Sequence, residues 1–258
     1  MYGCTFYALS DGCSSRIIKL FSMPKKNAVI IYAHFREILL CEGIWDMVRV
    51  DHGTEACLML FVQNLLRNER GNLSCEPYIQ TQSRQNLPAE RKWPEVNQRV
   101  IYPIKDVLVR METSLMINLS DPAVQFCLSF ITMNVAEIGL RRVQESWNSH
   151  PIEENSARIP EVVAQRMCRV HPVNPSLVPS VEDAIQMYTD AGGTITLNSS
   201  FGVDPLASSD ALINQRETEF TQNNPSFDDI YSNVINGDGS FMAAAVLSFI
   251  KITRNLVP

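Results

Sequence analysis

No two of the seven cysteines (Cys4, Cys13, Cys41, Cys57, Cys75, Cys127 and Cys168) stand in a Cys-x-x-Cys spacing. An odd count without that pair argues against zinc ribbons and disulfide frameworks, and for buried or free thiols in a reducing compartment. Nowhere does the chain approach the roughly eighteen uninterrupted apolar residues that read as a membrane span. The opening MYGCTFYALSDGC lacks both the basic start and the apolar block of a secretory signal. The sequons at Asn72 and Asn198 therefore carry no weight, and the expected location is intracellular, nuclear or cytoplasmic. There is no internal repeat, no low-complexity tract and no overall basic excess.

What is present is an ordinary globular composition, 45% apolar and 19% charged over 258 residues, enough for one large domain or a domain with an appendage. The net charge of −6 argues on its face against nucleic acid, but its distribution changes that reading. Residues 171–258 carry three basic side chains (Arg216, Lys251, Arg254) against ten acidic ones. Within 84–110, six basic residues face Glu90, Glu95 and Asp106. The acidity belongs to the C-terminal region, and a modest basic excess lies near position 90.

Patterning predicts a strand over Tyr2–Leu9, a tight turn at Asp11-Gly12 and an antiparallel partner over Arg16–Phe21. A helix is expected over Ala28–Cys41, ended by Gly43. Trp45–Val50 reads as a strand delivering Asp51, after which Thr54 is the expected cap of a helix running toward Gly71. Pro77–Gln80 is extended, 81–88 is a polar loop, and a long helical stretch starts at Ala89 with Pro94 in its first turns. Helices follow over Pro122–Asn148 and Ile159–Met167. The proline-rich stretch 171–179 reads as a linker, with helices beyond it over Val181–Ala191, Asp210–Gln222 and Phe241–Asn255.

The chemistry-bearing signal is Val50-Asp51-His52-Gly53-Thr54-Glu55 read with Ala89-Glu90-Arg91-Lys92-Trp93. An acid closes a strand, a glycine turns the chain, and 38 residues separate Asp51 from a second acid near a helix start. Phosphodiester transfer uses two divalent ions, and Mg²⁺ prefers convergent carboxylate oxygens. The plain alternatives stay beside this reading. Asp51 is a turn acid, Glu55 and Glu90 are first-turn acids beside a helix dipole, His52 is a turn residue, and Trp45, Trp93 and Trp147 are core.

Residues 48–55 (VRVDHGTE) and 80–91 (QTQSRQNLPAER), with Trp147-Asn148 and His150, resemble the retroviral and transposon integrase catalytic core, a DDE family of ribonuclease-H-like fold. Tyr78–Ser83 with Trp93–Asn97 is more similar still to eukaryotic transposon-derived integrase-core proteins. The likeness spans roughly residues 2–170.

The resemblance implies an α/β fold, a ribonuclease-H-like mixed sheet with flanking helices, followed by an all-helical acidic tail. The expected division is an integrase-like core at 1–170 and a helical region at 171–258. The implied activity is DNA integration by metal-dependent phosphoryl transfer. Asp51 and Glu90 would be catalytic and metal ligands for Mg²⁺ or Mn²⁺, and Arg84, Arg91 and Lys92 phosphate contacts. In the family the first metal-binding Asp lies on a central strand ahead of the opening hairpin. Here Met1-Tyr2-Gly3 starts inside that region, so the expectation is a missing strand, an incomplete carboxylate triad and impaired activity, with Asp11 a poor substitute at a turn. The alternative is a non-catalytic module binding nucleic acid or protein. DNA is the implied partner, with a homo-oligomer and protein binding by the tail as further expectations.

Overall fold

The computed structural model describes residues 2–82, 90–152, 158–167 and 170–257. Strand β1 (Thr5–Ser10) pairs antiparallel with β2 (Ile17–Met23), Tyr7 opposite Phe21 and Ala8 opposite Leu20. The connection is longer than the tight Asp-Gly turn expected. Asp11 N–H bonds the Arg16 carbonyl at 2.9 Å, and the Asp11 carboxylate accepts the Ser14 N–H at 2.6 Å and its hydroxyl. Ser15 takes the left-handed conformation at φ 63° that closes this wider loop.

Helix α1 (Ala28–Cys41) has the bounds its periodicity predicts. The Asn27 side chain caps it by accepting from the Val29 and Ile30 N–H groups, and Gly43 turns the chain out at φ +111°, a conformation glycine adopts without strain. Strand β3 (Val48–Val50) pairs in parallel with β4 (Tyr78–Gln80), so among the described residues there are two separate two-stranded sheets. Helix α2 (Cys57–Leu65) is entered through one 3₁₀ turn, Thr54–Ala56. The expected Thr54 cap is corrected: Thr54 lies inside that turn, Gly53 holds the cap position, and no side chain caps it.

After α3 (Trp93–Val96) the backbone widens to a π-wound turn, Asn97–Ile101, before α4 (Tyr102–Thr113). Such bulges disturb the regular ladder, and here the Tyr231 hydroxyl donates to the Arg99 carbonyl at 3.0 Å. Helix α5 (Pro122–Ser149) is capped by Asp121 and starts on proline, whose missing N–H costs nothing there. It is the one helix among the described residues long and apolar enough to cross a membrane, yet its buried residues form the centre of the larger core.

Helix α5 also closes the outer edge of β2. Asn148 accepts the Ile17 N–H at 2.8 Å and donates to the Ile17 carbonyl at 2.8 Å. Gln144 accepts from Leu20 N–H and donates to the Ile18 carbonyl, and Glu137 accepts the Ser22 N–H and hydroxyl. Two side-chain amides and one carboxylate thus do the work of a neighbouring strand.

Among the described residues four further α-helices follow α6 (Pro160–Met167): α7 (Val181–Asp190), α8 (Asp210–Asn223), α9 (Phe227–Ile235) and α10 (Ser240–Leu256). Helix α9 was not expected. Its signal is Ser226, whose side chain accepts from the Asp229 N–H, ahead of the apolar spacing Ile230, Tyr231, Val234. Phe249 of α10 stacks on Phe130 of α5 with ring centroids 4.7 Å apart, so the acidic C-terminal helices share the α5 core. A second core joins α1, α2, β3 and Ala184 of α7. The stretch 171–179 is not a free linker. His171 exchanges two backbone bonds with Ile44, and the Pro179 carbonyl accepts Tyr32 and Arg36. Its polar groups are satisfied by the body of the protein, which fixes its path.

Replacing Asn148 with Leu keeps the volume and strips both bonds from Ile17. Two main-chain groups left unpaired predict a loss of about 2–4 kcal/mol, read as a lower urea midpoint at an unchanged slope.

Candidate active site

β3 ends at Val50, and Asp51 leaves it half-buried, its Oδ1 accepting the Gly53 N–H at 3.2 Å. A Cβ on Gly53 would lie 2.2 Å from Glu55 Oε2 and 3.0 Å from Asp51 Oδ1, so a side chain there would push the Glu55 carboxylate from its place over this turn. Burial works to raise the Glu55 pKa, but hydrogen bonds from Lys26 and a backbone N–H outweigh it and hold the carboxyl below its usual range. The Tyr7 phenol of β1 faces the same group. Burial chiefly, and then the charges of Glu55 and Asp51, push its pKa well up.

A cleft of about 410 Å³ opens between β1 and β3, floored by Phe35 and Ile38 of α1, Trp45, and Met59 of α2. Asp51, Glu90 and Trp93 are among its lining residues. Two carboxylates separated by 38 residues in sequence therefore line one cavity. Glu90 is exposed and reaches α3 through a turn at Arg91 and Lys92. Asp11 also lines the cleft, its carboxylate engaged by Ser14.

A family model described as an integrase core domain matches residues 2–173. The chain belongs to the integrase core domain family. No curated protein and no solved structure matches it. The integrase core carries a ribonuclease-H-like α/β fold, and the hairpin, helix, strand-Asp, helix, strand order runs through the matched region.

Within this integrase core the remaining expected residues part company. Arg84 lies outside the described residues. Arg91 is exposed. Lys92 is a correction: it is 1% exposed, its Nζ 5.6 Å over the Trp147 ring, and so presents no ammonium to a ligand in solvent. Burial lowers its pKa to about 8, with the Asp11 charge opposing that shift. The reason is geometric. Arg91 and Lys92 are adjacent in a turn, and packing α3 against α5 sends one outward and the other inward. The Trp147-Asn148 pair holds the hairpin, since Trp147 Nε1 donates to the Ser15 carbonyl at 2.9 Å while Asn148 bonds Ile17.

Sequence reasoning missed Tyr7 and Lys26. Tyr7 shares its strand face with Thr5 and Leu9, a period-two signal that says which side it takes but not what it meets. Lys26 carries no signal, because its pairing with Glu55 is a long-range contact.

Integrase cores generally use divalent metals. Among the described residues, no group of three or more His, Cys, Asp or Glu side chains is placed to hold a metal ion. Glu55 is paired with Lys26, one Asp51 oxygen accepts from Gly53, and Asp11 is tied to Ser14. These residues do not fit a two-ion centre.

Because the folded Lys92 pKa lies below its unfolded value, folding expels a proton from this group. Its cost is present below about pH 8 and is relieved as pH rises from about 8 toward 10.5. Cys4, pushed up to about 12 by burial, and the buried tyrosines act oppositely above pH 9. Lys92→Met should therefore gain roughly 1–3 kcal/mol at pH 7. Its advantage over the parent should shrink between pH 8 and 10 in paired urea titrations, which cancel the thiol and phenol contributions.

Proposed function

We propose that this chain is a transposon-derived integrase-like domain whose DNA strand-transfer activity is impaired. The observation that carries the reading is that Asp51 and Glu90 line one cleft within a chain of the integrase core family, without a third convergent carboxylate among the described residues. In the family reaction Mg²⁺ or Mn²⁺ activates the attacking oxygen and stabilises the leaving one. Here Asp51 and Glu90 are the nearest counterparts of its ligands. DNA is the proposed partner, with Arg91, which is exposed, the proposed phosphate contact. Arg84 is retained as a proposal from its sequence position alone.

A second reading, a non-catalytic module for nucleic acid or protein, is favoured by the burial of Lys92 and by the partners already held by Asp11 and Glu55. It predicts that Asp51→Asn and Glu90→Gln leave DNA affinity and its salt slope unchanged.

Isothermal titration with Mg²⁺ tests the first reading. The chain should bind the ion only in the millimolar range or weaker, and Asp51→Asn should change little. Tight binding that Asp51→Asn abolishes, together with nicking of duplex DNA, would overturn the impaired assignment.

A further inference from the structure

Pro103 has no N–H to donate, and in a regular helix the group it leaves unmet is the carbonyl four residues back, that of Arg99. The proline ring also crowds that carbonyl. The helix answers both by widening: the Tyr102 N–H bonds the Asn97 carbonyl, five residues back, across the π-wound turn Asn97–Ile101. The Arg99 carbonyl is met from outside the helix, by the Tyr231 hydroxyl of α9 at 3.0 Å.

Tyr231 is built into this contact. It is 3% exposed, and burial chiefly raises its pKa, so the phenol keeps the proton that it donates. Helix α5 shapes the seat of the ring. A Cβ on Gly139 would lie 2.9 Å from the hydroxyl oxygen, and the Arg142 guanidinium lies 5.3 Å over the ring while bonding Asp228 at 2.6 Å. Val96 and Val100, fully buried, pack in the core that Tyr231 shares. Packing alone would be served equally by phenylalanine, and the hydroxyl is what meets the carbonyl opposite the proline.

We propose that Tyr231 is a positioning residue for the Glu90-bearing segment, its hydroxyl holding the π-wound turn and thereby the rotation of α3 about the axis of α4. An α-helix advances about 100° per residue, so taking one residue out of the widened turn swings α3 by about that angle. Glu90, Arg91 and Lys92 lead directly into α3, with Arg91 exposed and Lys92 turned inward over Trp147. That division between solvent and core is what the hydroxyl maintains. Tyr231 lies outside residues 2–173, so a segment beyond the family match sets the orientation of an acid within it. The standing of Glu90 as a ligand counterpart rests on the strand-transfer reading. The winding of the helix does not, and the test reads winding alone.

The experiment is a cycle of Tyr231→Phe and Pro103→Ala in the full chain, with 5-fluorotryptophan at all three tryptophan positions. Tyr231→Phe removes the donor and keeps the ring, whereas Pro103→Ala returns a main-chain N–H to the Arg99 carbonyl. From Tyr231→Phe alone, the folding equilibrium constant in urea should fall about tenfold or more. The fluorine resonances of Trp93 and Trp147 should move, while that of Trp45, packed on Phe35 in the second core, stays. In the Pro103→Ala background the same substitution should cost no more than about threefold, because the carbonyl has its donor back. An unmoved Trp93 resonance overturns the proposal. So does an equal cost in both backgrounds, the result that packing alone predicts. If Tyr231→Phe does not fold, the double variant decides: a folded double variant supports the assignment and an unfolded one overturns it.

Discussion

The interaction on which the rest of this structure depends is the closure of β2 by α5. A two-stranded ribbon has two exposed edges and is at best marginal in water on its own. Glu137, Gln144 and Asn148 sit seven and four residues apart, the spacing that keeps them on one helix face. They satisfy β2 along nearly its whole length. That contact orients α5, and α5 in turn presents its apolar sides to α4, α9 and α10. Gly139 belongs to the same arrangement. A Cβ there would lie 2.5 Å from the Tyr231 ring, so a helix residue of low propensity is retained to let α9 approach.

The C-terminal helices are held by packing and by one buried ion pair. Arg216 is 1% exposed and makes two parallel bonds to Asp204, at 2.7 and 2.8 Å. Its guanidinium lies between the Phe126 and Phe249 rings, at 5.2 and 4.9 Å. Weak hydration and a planar fork suit arginine to this position in a way lysine does not match. The pair ties the loop before α8 to α5 and α10. The segment outside the family match is therefore packed into the same body as the matched one.

Around the cleft, electrostatics follows from pairing. Glu55 is neutralised by Lys26 and Asp11 is engaged at its turn. Asp51 keeps one oxygen on the Gly53 N–H, and Glu90 stands at the open rim. Asp11, Asp51 and Glu55 thus each hold a separate hydrogen-bond or ion-pair partner.

Much of the local structure was legible in the chain. Helix α1 has its predicted ends because Asn27 and Gly43 supply local cap geometry, and α5 followed from its apolar period with Asp121-Pro122 at its start. The Asp51 and Glu90 motifs led to one cavity because strand-turn-acid spacing is a local property of an alternating fold. Three features were decided only in three dimensions. Lys92 reads as a solvated cation beside Arg91, and only the docking of α3 on α5 turns it inward over Trp147. The stretch 171–179 reads as a linker from its prolines, but the carbonyls that pin it to Tyr32 and Arg36 belong to contacts more than 140 positions away in the chain. The separation of the strands into two sheets depends on which edges meet. Composition and periodicity determine which segments become helices or strands. Which edges, charges and rings face one another is set by long-range packing, for which no short stretch of sequence holds the information.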